Sequence, residues 1–326
     1  MDLQQLLEVY FDHKILRPDT KKGYRDAVIS LLRARAYQRE KLELSHITPK
    51  LLLRHRAQYI EKNRSPVTYN TKRRHLIALF HFAIEKRWLD KNPLKSVAPI
   101  PAAKRKPKTV QQGFLNEAYQ VLFNGCADNM IWGRYDRVIG CGSPPGFWWT
   151  MLLVFHYTAM RRRQLVELVW EDINFDDKVI RLHPRGNKTR KELFLPMPDD
   201  LLHWLAELKR AIQGLGGRTK NHDQVFNLPV FSKRRERFKI LRCNVDHISK
   251  FFDEYMSKRL DYRVSAHRLR HTTATNLIIR SKNLALVKEF LAHDSIASTM
   301  VYCHPDTESF RPLMNLIQVE RPELTV

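Results

Sequence analysis

The run "FWWTMLLVFHYTAMRRRQL", Phe147 to Leu165, decides how the rest of the chain is read. Its opening stretch, Phe147 to Tyr157, is almost uninterruptedly apolar. That is the length of a buried helix and well short of the ~20 residues needed to span a bilayer. Three arginines follow almost at once: Arg161, Arg162 and Arg163. A buried helix that delivers three guanidinium groups to one place calls for an anion there, because a desolvated charge without a partner is costly.

The rest of the chain agrees. Its 326 residues hold 57 Lys+Arg against 34 Asp+Glu, a formal net charge of +23. Residues 1–110 carry 25 basic and 10 acidic side chains, a net of +15, and the remainder carries 32 and 24, a net of +8. Such an excess favours a polyanionic partner, since each neutralised phosphate releases condensed counterions. A merely solvated basic surface, or a ribosome- or membrane-surface protein, is the plainer alternative. Hydrophobic residues make up 43%, enough for real cores, and the length suggests two domains. The cysteines, at 126, 141, 243 and 303, form no C-x-x-C pair. That argues against a disulfide framework or a zinc knuckle and fits a reducing compartment. The N-terminus lacks the basic start and apolar core of a signal peptide, so a soluble intracellular protein is expected.

Residues 1–98 read as a helical domain. "TKKGYRDAVISLLRARA" places Tyr24, Val28, Leu31 and Leu32 at helical spacing, and "SPVTYNTKRRHLIALFHFAIEKRWL" does so with Leu76, Leu79, Phe80, Phe82 and Ala83. Lys72, Arg73 and Arg74 fall near the start of the second helix, where the dipole disfavours cations. Nearby phosphates would remove that conflict, and a solvated face is the alternative. Residues 99–110, "PIPAAKRKPKTV", form a proline-rich strap whose Lys104, Arg105 and Lys106 are placed to lie along a phosphate backbone. Residues 111–326 mix structure. "LVELVWEDINF" is expected to continue helically after the arginines. "KVIRL" and "ELFLP" are β-prone runs joined as a hairpin by "HPRGNKTRK", and "DDLLHWLAELKRAI" is an amphipathic helix. Trp148 and Trp149 read as core, and residues 124–146 as an insertion, either a surface loop or a contact to DNA or a partner.

Six residues stand out as a set: Arg161, Lys188 in the hairpin, His267 and Arg270 in "HRLRH", His293 in "LAHDS", and Tyr302 in "STMVY". Each alone has an ordinary explanation as a salt-bridge partner, a solubilising charge or a core side chain. Together they meet a chemical need. Breaking a phosphodiester without a metal takes a nucleophile, positive charge for the non-bridging oxygens, and a proton for the leaving oxygen. A phenol can attack, arginine forks fit two phosphate oxygens at once, and lysine or histidine can move the proton.

These boxes resemble the tyrosine recombinases, or phage integrases. "TAMRRRQL" is similar to the family's T-G-[LM]-R-x-x-E-L, "HRLRH" to H-x-L-R-H, and "LAHDSIASTMVY" to L-G-H-x-x-x-x-x-T-x-x-Y. Lys188 precedes Pro196 as in the family's lysine turn, and the first hundred residues look like its core-binding domain. The resemblance implies a mostly α fold with a small β-hairpin or sheet (α+β). Its two domains, a helical core-binding domain and a catalytic domain, form a C-shaped clamp. It implies that Tyr302 attacks the scissile phosphate and holds a 3′-phosphotyrosyl bond while the 5′-hydroxyl leaves. Arg161 and Arg270 clamp the non-bridging oxygens, and His293 donates a hydrogen bond to the same phosphate. Lys188 protonates the 5′ oxygen, and His267 assists as base for the phenol. No cofactor, metal or ATP is called for.

The implied partners are double-stranded recombination sites and three further copies of the chain, a dimer per site and a homo-tetramer on DNA. The tail, residues 304–326, has Phe310, Leu313, Met314 and Ile317 at helical spacing and is expected to be exchanged between protomers. The implied setting is a cytoplasmic, nucleoid-associated protein of a bacterium, phage or plasmid, most simply the integrase of a mobile element with no separate arm-binding domain. A type IB topoisomerase-like enzyme, or a DNA-binding protein on the same scaffold, are the alternatives. Departures from the pattern are Ala159 and Ala292 where the family has glycine, and Gln164 where it has an acid. A methyl is tolerable at both places unless the backbone needs φ > 0. Arg162 and Arg163, at positions where the family varies, are expected to be DNA-backbone contacts or plain surface charge.

Overall fold

A computed structural model describes residues 1–34, 41–103, 108–124, 126, 130–135, 144–183, 192–233 and 242–303. The chain divides into two compact units, Met1–Arg105 and Lys106–Val326. None of the described helices is long and apolar enough to cross a membrane.

The first unit is built from α1 (Leu3–His13), α2 (Pro18–Leu32), α3 (Pro49–Glu61) and α4 (Pro66–Glu85). Asp2 caps α1: its carboxylate accepts from the Gln4 and Gln5 backbones, and the Gln5 amide oxygen accepts from the Asp2 N–H. Such a box contributes about 1 kcal/mol. The other three helices begin with proline, whose missing N–H costs nothing in a first turn. Tyr24, Ala27, Val28 and Leu31 of α2 share one core with Leu76, Leu79, Phe80, Phe82 and Ala83 of α4, which is the apolar face read from the spacing.

In the second unit, α5 (Phe114–Phe123) precedes α6 (Pro145–Thr158), which is buried along nearly its whole surface. A helix apolar all round can only be a core element, and Trp148 lies at the centre, stacked on Phe251 with ring centroids 4.1 Å apart. After α7 (Arg162–Glu167) the chain departs from its sequence-based expectation. Residues 168–175 do not continue as helix: Val169 bridges to Gln224, a 3-10 turn covers Trp170–Asp172, and β1 (Ile173–Asn174) follows. Partners elsewhere in the unit outweigh local helical preference, since Val225 N donates to Leu168 O and the Gln224 amide to Val166 O.

The strands β1, β2 (Val179–Leu182) and β3 (Leu193–Pro196) form a three-stranded antiparallel sheet in the order β1-β2-β3, with Ile180 opposite Ile173 and Leu195. Ile180, Leu182 and Leu195 face the core while Phe194 is exposed, the period-2 alternation of a half-buried sheet. Next comes α8 (Asp199–Gly214). Then α9 (Val245–Lys250) runs through a π-helical turn, Phe251–Met256, into α10 (Ser257–Arg259). The unit's described part ends with α11 (Ala266–Ser281), α12 (Leu284–Phe290) and α13 (Ile296–Met300).

Candidate active site

The site grows out of two helix ends. At the end of α6, Ala159 takes a left-handed conformation, φ 48°, and its N–H closes the last turn on Phe155 O. The chain then turns sharply, so that Arg161 stands at the N-cap of α7. The Arg161 backbone N–H donates to Gln164 Oε1 at 2.9 Å, and Gln164 is itself buried. The amide therefore orients the backbone here without the charge of the acid it replaces. At the end of α12, Ala292 is also left-handed, φ 49°, with its N–H on Glu289 O and the His293 N–H on Lys288 O. The backbone does need φ > 0 at both alanines, so each methyl carries strain that glycine avoids, about 1 kcal/mol.

Both caps serve Arg270, which α11 brings inward beside Leu269, Thr273 and Ala274. Its Nη1 donates to Ala159 O at 2.5 Å and its Nη2 to Leu291 O at 2.9 Å, one carbonyl from each cap. Nη2 also lies 3.1 Å from His293 Nε2. A guanidinium only donates, so Nε2 accepts, and the His293 proton sits on Nδ1, which donates to Thr299 Oγ1 at 2.9 Å. Tyr302 completes the group. Its ring stacks on His293 at 6.0 Å and tilts against His271 at 5.0 Å. It packs with Ala159, Ala274, Val287 and Leu291 in a small core of its own. Arg270, His293 and Tyr302 are 5%, 6% and 5% exposed, so the three meet in a nearly dry place.

Burial there works against charge. Arg270 is pushed down to about 10, first by desolvation and then by the neighbouring Arg161, while Tyr302 draws it back by charge and a hydrogen bond. Arg161 is lowered chiefly by burial, opposed by Tyr302 and Asp294. His293 falls to about 4 because it is buried and faces Arg270 and Arg161. His271 falls to about 4 through burial, His267 and Arg270. His267 keeps an edge in solvent, yet the packing around it and Arg270, Arg162 and Arg161 hold it below the ordinary imidazole range. Two guanidiniums and neutral imidazoles thus surround one phenol. No carboxylate among the described residues bonds Arg270, which is held by carbonyls and an imidazole instead. A site with this excess of positive charge is made for an anion.

Of the six residues expected from the sequence, the described structure brings together Arg161, His267, Arg270, His293 and Tyr302. Lys188 lies outside the described residues, as do Lys104, Arg105, Lys106, the tail 304–326 and most of the insertion. Arg73, expected as a DNA contact, also acts as a structural clip. Its Nε and Nη2 donate to Val97 O at 3.0 and 2.7 Å, and Nη2 also to Leu94 O at 3.2 Å, tying α4 to the segment after it. Lys72 lies over the Tyr59 ring, Arg74 donates to Thr71 Oγ1, and Arg162 donates to Ser249 Oγ. Arg163 is half-buried. Trp148 and Trp149 are core, as expected. Two site residues were not singled out from the sequence. Thr299 fixes the His293 ring, and its place inside the third box was the available signal. His271, the last residue of "HRLRH", touches Tyr302.

Comparison with known proteins agrees with this geometry. Residues 149–309 match the family described as "Phage integrase family". A candidate tyrosine recombinase XerC of Pseudomonas syringae is 28% identical over 318 residues, which is 97% of this chain. The chain spans 64% of that relative's length. Among solved structures, the Tn1549 transposon integrase in complex with a circular intermediate DNA has a TM-score of 0.71 at 17% identity, covering 97% of this chain and all of that one. A lambda integrase dimer bound to a core site has a TM-score of 0.65 at 18% identity, covering 93% of this chain and 95% of that one. Those two share its fold. With the boxes, the buried phenol–guanidinium site and these matches in agreement, residues 149–309 are a domain of the tyrosine recombinase, or phage integrase, family.

Proposed function

We propose that the protein is a site-specific DNA recombinase that cuts and rejoins DNA through a covalent bond between Tyr302 and a 3′-phosphate. The observation that carries this reading is the buried Arg270, held by two carbonyls beside Tyr302 and Arg161 with no carboxylate bonded to it among the described residues. Tyr302 Oη forms the bond to phosphorus, the P–O5′ bond breaks, and the phenol's proton passes to solvent, from which Lys188 recovers the one it gives to the 5′ oxygen. Arg161 and Arg270 take the charge that builds on the non-bridging oxygens. An arriving phosphate raises the proton affinity of His293, so that the ring takes up a second proton and Nε2 can turn from Arg270 to the phosphate as donor. Lys188 supplies the proton to the 5′ oxygen. The phosphotyrosine conserves the phosphodiester energy, so strands rejoin without ATP.

DNA recombination sites are the proposed substrate, two protomers on each and four in the complete assembly. Exposed Leu286, Ile296, Met300 and Val301 on and beside α12 and α13 support a docking place for the apolar stripe of a neighbour's tail. The integrase of a mobile element is the proposed biological setting.

The test uses a duplex of the element's end sequence carrying a nick beside the cleavage point, so that the released fragment diffuses away. Wild type is expected to accumulate a covalent 3′ adduct that Tyr302→Phe does not form. Tight binding with no adduct on any such duplex identifies a binding protein instead. Relaxation of supercoils without a preferred site identifies a topoisomerase.

A further inference from the structure

His267 and His271 lie one turn apart on α11, with their Nε2 atoms 2.9 Å from each other and ring centroids 4.1 Å apart. Two imidazoles at that separation share a single proton, so one ring donates from Nε2 and the other accepts there. The surroundings decide which. His271 Nδ1 is buried and has no hydrogen-bond partner among the described residues. If His267 donated, the His271 proton would have to sit on that Nδ1, leaving a buried N–H with no acceptor, the costlier of the two possible orphans. If His271 donates from Nε2, its Nδ1 is a bare lone pair, and His267 carries its proton on Nδ1. A doubly protonated His267 brings back the same orphan, and Arg161, Arg162 and Arg270, which face His267, oppose its charge.

We infer that His271 is a positioning residue that holds His267 in the Nδ1–H tautomer by occupying its Nε2 lone pair. His267 then offers the site a hydrogen-bond donor and not a free basic nitrogen. In the recombinase reading, on which this consequence rests, His267 meets the scissile phosphate as a third donor beside Arg161 and Arg270. The role of base for the Tyr302 phenol, expected from the sequence, passes from it. His271 is suited to the task because the same ring also packs on Tyr302, so one side chain sets the tautomer of His267 and borders the nucleophile.

Two measurements test the inference. In the full chain labelled with 15N-histidine and free of DNA, long-range 1H–15N correlation reports which ring nitrogens are protonated, with His267→Gln and His271→Gln providing the assignments. His267 is expected to be protonated on Nδ1 and His271 on Nε2; the reverse pair overturns the inference whatever the protein's activity. On the nicked duplex, His271→Leu is expected to slow adduct formation about 10- to 100-fold, the scale of losing a group that fixes a reactive histidine. DNA affinity is expected to change little. His271→Gln, whose amide N–H can replace the Nε2 donor, is expected to recover most of the rate. Wild-type cleavage by His271→Leu, or equal loss in both variants, overturns the positioning role. Wild type forming no adduct while the expected tautomers are seen sinks the recombinase reading and leaves the tautomer assignment standing.

Discussion

Each unit of the chain buries a histidine–tyrosine cluster, and the two have opposite outcomes. In the first unit, Ser30 Oγ sits between His55 Nε2 and Tyr59 Oη, 2.9 Å from each, and Tyr69 closes the group with its ring 5.3 Å from that of Tyr59. The serine absorbs both polar ends at once. In the second unit the corresponding place beside the Tyr302 phenol is taken by Arg270, itself crowded by Arg161. Burial is common to both clusters. Cations stand near both: Arg64 and Lys72 lie over the Tyr59 ring, whereas Arg270 is buried, hydrogen-bonded to Tyr302 and, among the described residues, bonded to no carboxylate, which is what sets the proposed nucleophile apart.

The largest test of that contrast exchanges the hydroxyls. Tyr302→Phe is expected to abolish adduct formation outright. Tyr59→Phe is expected to leave cleavage intact and lower unfolding stability by about 1 kcal/mol, the ordinary worth of one hydrogen bond. If both variants cleave, the second cluster is as structural as the first. Next in size, Arg270→Lys keeps a charge but cannot reach both cap carbonyls and a phosphate. Cleavage is expected to fall by about 10²- to 10³-fold in single-turnover assays.

Acid should expose what the clusters share. His55, His271 and His293 are each held at about 4 against the ordinary 6.5, all chiefly by burial. The unfolded chain therefore binds more protons between those two values, and stability present above pH 6.5 is lost as pH falls towards 4. Chemical denaturation at a series of pH values should show the loss, and His55→Phe should reduce it without altering cleavage at neutral pH. The smallest effect concerns the caps that hold Arg270: Ala159→Gly and Ala292→Gly are each expected to raise stability by up to about 1 kcal/mol, read as an upward shift in Tm. A drop in Tm at either position means the methyl's packing outweighs the strain.

Much of this was legible before any coordinates. The apolar run before Arg161 could only be a buried helix, and the box spacings put Arg161, Arg270, His293 and Tyr302 in one chemical scheme. Other features had no local signature. Alanine itself carries no sign of a left-handed backbone; only the glycine of the resembled pattern hinted at it, and Ala159 and Ala292 adopt it because the turn behind each helix requires it. Arg73 looks like any cation on a basic helix until the carbonyls of Leu94 and Val97 close on it. Residues 168–175 read as helix by propensity and become bridge, 3-10 turn and strand because residues near Gln224, some fifty positions away, supply their partners. The tautomer of His267 depends on a buried atom of its neighbour, which only side-chain packing reveals.

Arg270 joins carbonyls from the ends of two separate helices, so it is a clasp as well as a proposed phosphate ligand. Any substitution there opens the clasp and loosens the pocket that is being assayed, and a dead Arg270 variant makes a poor stand-in for the intact complex. Tyr302 has the opposite character. Its ring packs in the small core, so in the proposed mechanism removing the oxygen alone is expected to stop the chemistry and leave the walls standing. For trapping an unreacted DNA assembly, the phenylalanine variant is the tool this architecture recommends.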